Sequence, residues 1–325
     1  MKLSIIVAAY NVEKYIEKCL LSCIQDVSHS YEILVVNDGS TDHTLEILSN
    51  LASVYNIIKV IDQPNSGLGA ARNSGMQHSK GAYLWFIDGD DYVDAKSISS
   101  ILKEVDSKQL DTLILDYAAV DEQYVILGQH RNTPQSVQGV FTGGDYYEAN
   151  YSKSYTPLFV FKRSLFTKNN ILFKERINMQ DSEILPKLLI DAQRVSFLDE
   201  ICYYYLQQSE SFTNSDKGEK RFTYFESIIA VRDFLEAFLI IAETQNPKIA
   251  NGIRKKLLSI HHIVYNHLIY VRYQKDWLVK IIALLKDNKL YPLQYSGNIK
   301  AKVLAPAMNL MPQTTKKVID TLRKT

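Results

Sequence analysis

The sequence predicts an α/β fold: a mostly parallel, Rossmann-like sheet flanked by helices, with a C-terminal α-helical appendage. Three observations carry this expectation. Through the first hundred residues, apolar runs of strand length alternate with segments whose apolar residues recur at helical spacing. The polar motifs VNDGSTD and DGDD each follow directly on such a run, at the strand ends where parallel sheets carry their chemistry. Beyond Lys220 the alternation gives way to helical periodicity.

Leu3–Ala9 is a continuous apolar run, the pattern of a strand covered on both faces. Val12, Tyr15, Ile16, Cys19, Leu20, Cys23 and Ile24 then recur as one helix face. Glu32–Val36 reads as a second strand, and Ser40, Thr41 and Asp42 offer caps for a helix carrying Leu45, Ile47, Leu48 and Leu51. Ile57–Ile61 is a third strand, Gly69–His78 a helix, and Tyr83–Ile87 a fourth strand that stops at Asp88-Gly89-Asp90-Asp91. Ser97–Lys108 reads as a helix and Leu110–Tyr117 as a strand; the region to about Tyr205 mixes short strands with helices. Phe222–Leu239, Ile253–Val271 and Trp277–Leu285 read as helices.

With 325 residues, 46% of them hydrophobic and 22% charged, the composition is that of a globular chain with a large core. The 3 cysteines exclude a disulfide framework, and Cys19 and Cys23 fall in an apolar helical pattern where buried thiols are expected. No stretch reaches 18 uninterrupted apolar residues, and an acidic helix follows the short apolar start, so a cytoplasmic location is expected. The net charge of +1 conceals an asymmetry, −10 over residues 1–250 and +11 over residues 251–325. The two parts are expected to face different partners.

Carboxylates at the density of Asp88, Asp90 and Asp91 repel one another unless a cation lies between them. An all-oxygen site suits Mg²⁺ or Mn²⁺ carrying a phosphate ligand. An acidic turn with one helix cap is the alternative. Asp38 ends the second strand, where an acidic residue can accept hydrogen bonds from a base or ribose, and Gly39 lets the chain turn. A simple turn and N-cap explains the same residues. Asn65–Gly75, NSGLGAARNSG, comes close to a dinucleotide fingerprint, since Gly67 and Gly69 have the spacing and Asp88 follows about twenty residues later. Arg72, however, occupies the place of a small residue, and the element follows the third strand instead of the first. An Arg one turn into a helix at the sheet edge suits a diphosphate.

In this order after the opening SIIVAAYN, these motifs resemble those of the inverting family-2 glycosyltransferases, which have the GT-A nucleotide-sugar fold. The resemblance covers about the first 95 residues. It extends more weakly to INMQDSEILPKLLIDA and VSFLDEICYYY, which look like the family's acceptor-side segments. It implies that Ala8, Ala9 and Tyr10, with Asn11 and Glu13, line a nucleobase and ribose pocket. Asp38 would contact uracil or ribose, and Arg72, on the loop and helix that carry Asn65 and Gly67, would lie near the base or diphosphate. Asp88 and Asp90, separated by Gly89, would form the D-x-D pair: Asp88 near the ribose, Asp90 binding Mn²⁺ or Mg²⁺ bridged to the diphosphate, with Asp91 assisting.

Inverting transfer needs a base to take the acceptor hydroxyl's proton. The family commonly supplies it from a Glu-Asp pair before a helix, and the corresponding dipeptide is Gln180-Asp181, so the resemblance makes Asp181 the base. Gln180 departs from the pattern and removes a negative charge that would help raise the base's pKa. The alternative is Asp181 as an N-cap for Ser182–Ile190. Where many relatives place a basic residue after the YYY segment, Leu206-Gln207-Gln208 follows, so a diphosphate contact there would come from the neutral Gln207, Ser209 or Ser211.

The expected function is metal-dependent transfer of a hexose, galactose or glucose, from a UDP-sugar to a glycan acceptor, lipid-linked or on a protein, in surface polysaccharide or glycoprotein biosynthesis. The alternative is a non-catalytic nucleotide-sugar-binding partner subunit, which Gln180 favours. An aspartyl phosphatase would carry its acidic motif on the first strand, followed by Thr or Val, whereas here Asp91-Tyr92 follows on the fourth. A processive synthase is disfavoured by the lack of membrane spans and of a Q-x-x-R-W motif. The expected division is a glycosyltransferase domain over 1–215, with a nucleotide-sugar-binding half 1–95 and an acceptor-side half 96–215, and a helical domain over 216–325. Its basic clusters, Arg254-Lys255-Lys256, Lys316-Lys317 and Arg323-Lys324, are expected to dock on an anionic membrane at the cytoplasmic leaflet or on an anionic acceptor complex, the alternative being a solvated surface that balances charge within the chain. No nucleic-acid motif accompanies the charge, so nucleic acid is not an expected partner.

Overall fold

The computed structural model describes residues 1–24, 30–132, 139–208, 218–294 and 299–322. Strands β1 (Leu3–Ala9), β2 (Tyr31–Asp38), β3 (Ile58–Gln63) and β4 (Tyr83–Asp88) alternate with helices α1 (Ile16–Ser22), α2 (Thr44–Val54) and α3 (Leu68–His78). There follow β5 (Tyr92–Val93), α4 (Ser97–Ser107), β6 (Thr112–Val120), β7 (Ile126–His130), α5 (Gly143–Asn150) and a 3-10 turn at Thr156–Leu158. Next come β8 (Phe159–Lys162), α6 (Ser164–Thr167), α7 (Gln180–Leu189) and β9 (Val195–Leu206). The rest of the described chain is helical: α8 (Gly218–Gln245), α9 (Pro247–Tyr270), α10 (Lys275–Asp287), α11 (Ile299–Leu310) and α12 (Pro312–Leu322). The last two lie beyond the helices that the periodicity predicts.

The strands form one sheet in the order β3-β2-β1-β4-β8-β6-β9-β5, with β7 paired to β6. The first four strands are parallel, as the alternating pattern requires. Beyond them the sheet is mixed. β8 runs antiparallel between β4 and β6, because the Tyr155–Thr156 segment delivers the chain at the edge where β4 ends, and β6 and β9 are parallel again. Every residue of β1 and β2 is buried, as their apolar stretches Ile5–Ala9 and Ile33–Val36 require. The small residue that lets α3 approach the sheet is Gly75, where an added Cβ would lie 2.3 Å from the Ile6 side chain. Arg72 is thereby free to be large. In the second half Trp85 donates its indole N–H to the Pro157 carbonyl at 2.8 Å, and Phe86, Phe166 and Phe173 pack ring against ring beneath β4.

The C-terminal helices pack on this second half. Asn246 caps α9, which crosses α5 so closely that a Cβ on Gly252 would lie 2.5 Å from the Tyr147 ring. The basic clusters are not a continuous exposed face. Lys256 and Lys316 are buried, Lys316 pairing with Asp320 and donating to the Ile269 carbonyl, while Arg254 pairs with Glu243. Arg323 and Lys324 lie outside the described residues. Among the described residues no helix is long and apolar enough to cross a membrane.

Candidate active site

The carboxyl ends of β1, β2 and β4 gather the polar motifs. The Gly89 N–H donates to the Ala8 carbonyl at 2.9 Å, and a Cβ on Gly89 would fall 2.8 Å from that oxygen, so the turn after β4 fits against β1 only as glycine. Asp38, buried, accepts from the Ser66 N–H at 2.9 Å and Gln63 Nε2 at 2.8 Å on one oxygen, and from the Gly67 N–H at 2.7 Å on the other. Its carboxylate orders the loop that opens α3, and Asn65 reinforces it by donating to the Asp38 carbonyl. Gly67, at φ 89°, starts that helix in a conformation that favours glycine. Asn11 Oδ1 accepts from the Thr41 N–H at 2.8 Å. Glu13 Oε2 accepts from the His43 N–H at 2.9 Å and faces its ring nitrogen, contacts that hold the Glu13 carboxyl below its ordinary range. Ala8 and Ala9 are buried beneath this rim and Tyr10 is half-exposed on it.

Arg72 joins distant parts of the chain. It is 1% exposed, and its two terminal nitrogens donate to Asp88 Oδ1 at 2.8 Å and, across 109 residues, to Asp181 Oδ1 at 3.0 Å. The Phe173 ring lies 5.3 Å from the guanidinium. Burial disfavours the Arg72 charge, but Asp88 and Asp181 more than offset it and hold its pKa above the ordinary value. Burial likewise pushes the Asp181 carboxyl up, against the pull of Arg72 and of the Thr156 hydroxyl that donates to it. Asp181 is not an N-cap: α7 is capped at Met179 with no side-chain bond, which removes that alternative.

Asp91 does not face the site. It is 2% exposed and accepts from the Tyr155 hydroxyl at 2.8 Å, the Tyr203 hydroxyl and the Leu206 N–H at 2.8 Å. Burial and the charges of Asp90 and Asp88 push its carboxyl well above the ordinary range. The expected assistance at the metal is therefore corrected: Asp91 locks the turn after β4 to β9. Asp91→Ala should leave buried donors on Tyr203 and Leu206 unpaired and destabilise the fold by about 2–4 kcal/mol. Urea denaturation checks this, with a lower midpoint expected at unchanged slope; an unchanged midpoint contradicts it. Asp90 points the other way, accepts from Gln208 Nε2 at 2.8 Å, and is pushed up to about 6 by burial and the Asp88 charge. In the loop after YYY the Gln207 N–H donates to the Val120 carbonyl and Gln208 donates to Asp90, while Ser209 and Ser211 lie outside the described residues.

Tyr155, Thr156, Tyr203, Gln208 and Lys256 are site residues that sequence reasoning missed. Lys256 had a signal: it falls on the apolar stripe Ile249, Ile253, Ile260 of α9, not on the exposed face. It is 4% exposed, and burial pushes its amine down to about 8 against the pull of Asp181. Its folded pKa lies below the unfolded one, so a charge penalty is present below about pH 8 and is relieved as pH rises above it. Lys256→Met is therefore expected to stabilise the fold by about 1–3 kcal/mol near neutrality, with the gain shrinking above about pH 9. Denaturation at the two pH values measures this; a variant less stable at both contradicts it.

Parallel strands whose ends present glycine turns and clustered carboxylates, closed by a mixed half-sheet and helices, define a GT-A, Rossmann-like α/β protein. The model of the family described as Glycosyl transferase family 2 matches residues 4–172, and the chain belongs to that family. It is 33% identical over 222 residues to the uncharacterized glycosyltransferase EpsJ of Bacillus subtilis, covering 65% of this chain and 62% of that protein. It is 26% identical over 264 residues to the poly(ribitol-phosphate) beta-N-acetylglucosaminyltransferase TarS of Staphylococcus aureus, covering 80% of this chain and 43% of TarS. The chain thus spans less than two thirds of the length of these relatives. The crystal structure of TarS 1–349 in complex with UDP-GlcNAc matches with a TM-score of 0.67 at 23% identity, over 100% of this chain and 92% of that one, which shows the shared fold.

Proposed function

We propose that this family-2 glycosyltransferase uses a UDP-sugar and a divalent cation, and transfers a hexose with inversion to a glycan acceptor. The observation that carries the reading is Arg72, which ties Asp88 at the end of β4 to Asp181 on α7 and so sets a carboxylate base beside the donor-side cluster. In this reading Asp181 takes the proton of the acceptor hydroxyl, whose oxygen attacks the anomeric carbon from the face opposite the departing UDP. Burial raises the Asp181 carboxyl, Arg72 and Thr156 pull against that rise, and the Thr156 hydroxyl fixes its orientation. Asp38 and Asn65 hold the Gly67 turn, and Asn11 and Glu13 hold the 40–43 loop, around the nucleoside. Gln180 is buried with its carbonyl oxygen unpartnered among the described residues, where a glutamate would bury an unpaired charge.

The donor set fits a cation shared with a diphosphate. Among the described residues no three His, Cys, Asp or Glu side chains are placed to hold a metal ion together, and one or two carboxylates completed by phosphate oxygens is a usual Mg²⁺ arrangement. Asp90, crowded upward by burial and Asp88, is a carboxyl that a cation would return to its ionised form. Asp90 and Asp88 would hold Mg²⁺ or Mn²⁺, which supplies charge neutralisation to the leaving diphosphate.

TarS is a beta-N-acetylglucosaminyltransferase, so UDP-GlcNAc joins UDP-glucose and UDP-galactose as candidate donors. Peripheral docking on an anionic membrane has less support than the charge count suggests, since two of the basic-cluster lysines are buried. Thermal unfolding with Mn²⁺ and either UDP or GDP tests the nucleotide reading: UDP should raise the midpoint and GDP should not. Equal shifts, or none, contradict it.

A further inference from the structure

We propose that the sheet edge at β7 is a docking surface for a second copy of this chain, the two strands lying antiparallel across a two-fold axis. Val125, Ile126 and Leu127 are consecutive apolar residues, exposed by 58, 51 and 55%. Single exposed apolar side chains need no explanation; three in a row at a sheet edge do. Among the described residues β7 pairs with β6 alone, so its other side is an open edge. Proteins blunt open edges with charges, proline or a bulge, because an unpaired edge is a template for another strand. From Tyr124 to His130 the sequence YVILGQH holds no proline and no lysine, arginine or carboxylate. β7 does carry a bulge, since Leu127 is passed over between the Val120–Ile126 and Ala119–Gly128 pairs. Both Ile126 and Leu127 are nevertheless half-exposed, so the bulge displays apolar side chains instead of withdrawing them.

The hairpin that presents this run is anchored. The Tyr124 ring takes the Lys18 ammonium 3.0 Å from its centroid and meets the Tyr92 ring edge to face at 5.6 Å. Asp121 Oδ1 accepts from the Gln123 and Val125 N–H groups at 2.9 and 2.8 Å and closes the turn. With the turn fixed, the apolar run stands outward in the folded chain, and association there costs little further ordering.

Charge identifies the occupant. Glu122 is exposed at one end of the run and Arg131 at the other, with an uncharged stretch between them. An antiparallel copy with Ile126 and Leu127 at the two-fold axis sets Glu122 of each copy opposite Arg131 of the other. Apolar residues then meet at the centre and opposite charges at both ends, the self-complementary pattern of an isologous dimer. A parallel arrangement would oppose like charges. Arg131 pairs with Asp199 at 2.7 Å through one terminal nitrogen, both side chains being exposed, so its remaining N–H donors can take a second carboxylate. Asp121 and Glu122 beside the run disfavour an anionic lipid surface. A contact the size of one strand lies at the low end of specific interfaces, so the dimer should be weak and concentration-dependent.

Sedimentation equilibrium of the full chain tests this. The wild type should pass from monomer to dimer with a Kd of about 10–100 µM. Leu127→Asp, which sets two carboxylates at the axis, should weaken association about tenfold or more. Glu122→Arg and Arg131→Glu should each weaken it about threefold or more, and the double variant, which exchanges the charges, should return to within about twofold of wild type. All three side chains are exposed, and an unchanged thermal midpoint verifies the fold of each variant. A wild type that stays monomeric at about 500 µM, association unaffected by Leu127→Asp, or a charge-exchanged variant as weak as the single ones would each overturn the proposal. So would co-sedimentation of a monomeric chain with phosphatidylcholine vesicles that Leu127→Asp abolishes, which gives the run to a lipid surface.

Discussion

Asp181→Asn is expected to lower turnover by about two to four orders of magnitude while leaving UDP affinity within about threefold of wild type. Asparagine keeps the shape and an oxygen that can accept from both Arg72 and Thr156, so the bridge between α3 and α7 survives. What it cannot do is take a proton. Because burial holds the Asp181 carboxyl above the ordinary aspartate range, the wild-type rate should fall as pH drops through that raised value, as the base protonates. This acidic limb should vanish in the variant. Steady-state rates across pH, paired with calorimetric UDP titration, separate the two effects. Turnover within about threefold of wild type would remove Asp181 from the chemistry.

Asp90→Ala is expected to abolish Mn²⁺-dependent activity and to remove the gain in UDP affinity that the cation brings, about tenfold or more. The diphosphate would be left without its counter-ion, while the fold should persist, since Asp90 is held by Gln208 and not, like Asp91, by several donors from the core. UDP titration with and without Mn²⁺, on both proteins, measures this. Equal UDP affinity under both conditions in the wild type, together with undiminished turnover of the variant, would contradict a metal role.

The parallel half of the fold was legible because its strands are buried on both faces and its turns need glycine. Leu3–Ala9 and the DGDD stop read directly as a strand and the end of a strand, and the structure places them side by side as β1 and β4. The mixed half was not legible. β8 is 4 residues long, and its direction depends on where Tyr155 and Thr156 are anchored, which no local pattern encodes. The site divides in the same way. Asp88 and Asp90 stand out in the sequence as a dense acidic motif and Asp181 through the family resemblance alone, whereas the Arg72 bridge between Asp88 and Asp181 is a contact across 109 residues that periodicity cannot reveal. Asp91 looked equivalent to its neighbours until Tyr203, alternating inward on β9, drew it into the core. Lys256 was hidden by its basic neighbours, although its place on the α9 stripe marked it as buried.

The central claim, that Asp88, Arg72 and Asp181 form the centre of a UDP-sugar transferase, is tested most directly by UDP release from a panel of UDP-sugars with Mn²⁺. The panel holds UDP-glucose, UDP-galactose and UDP-GlcNAc, each incubated with the wild type and with Asp181→Asn. One donor should be hydrolysed slowly without acceptor by the wild type, and the rate should collapse in the variant. UDP that binds but is released from none of the sugars would contradict the claim and leave the chain a nucleotide-sugar-binding partner subunit.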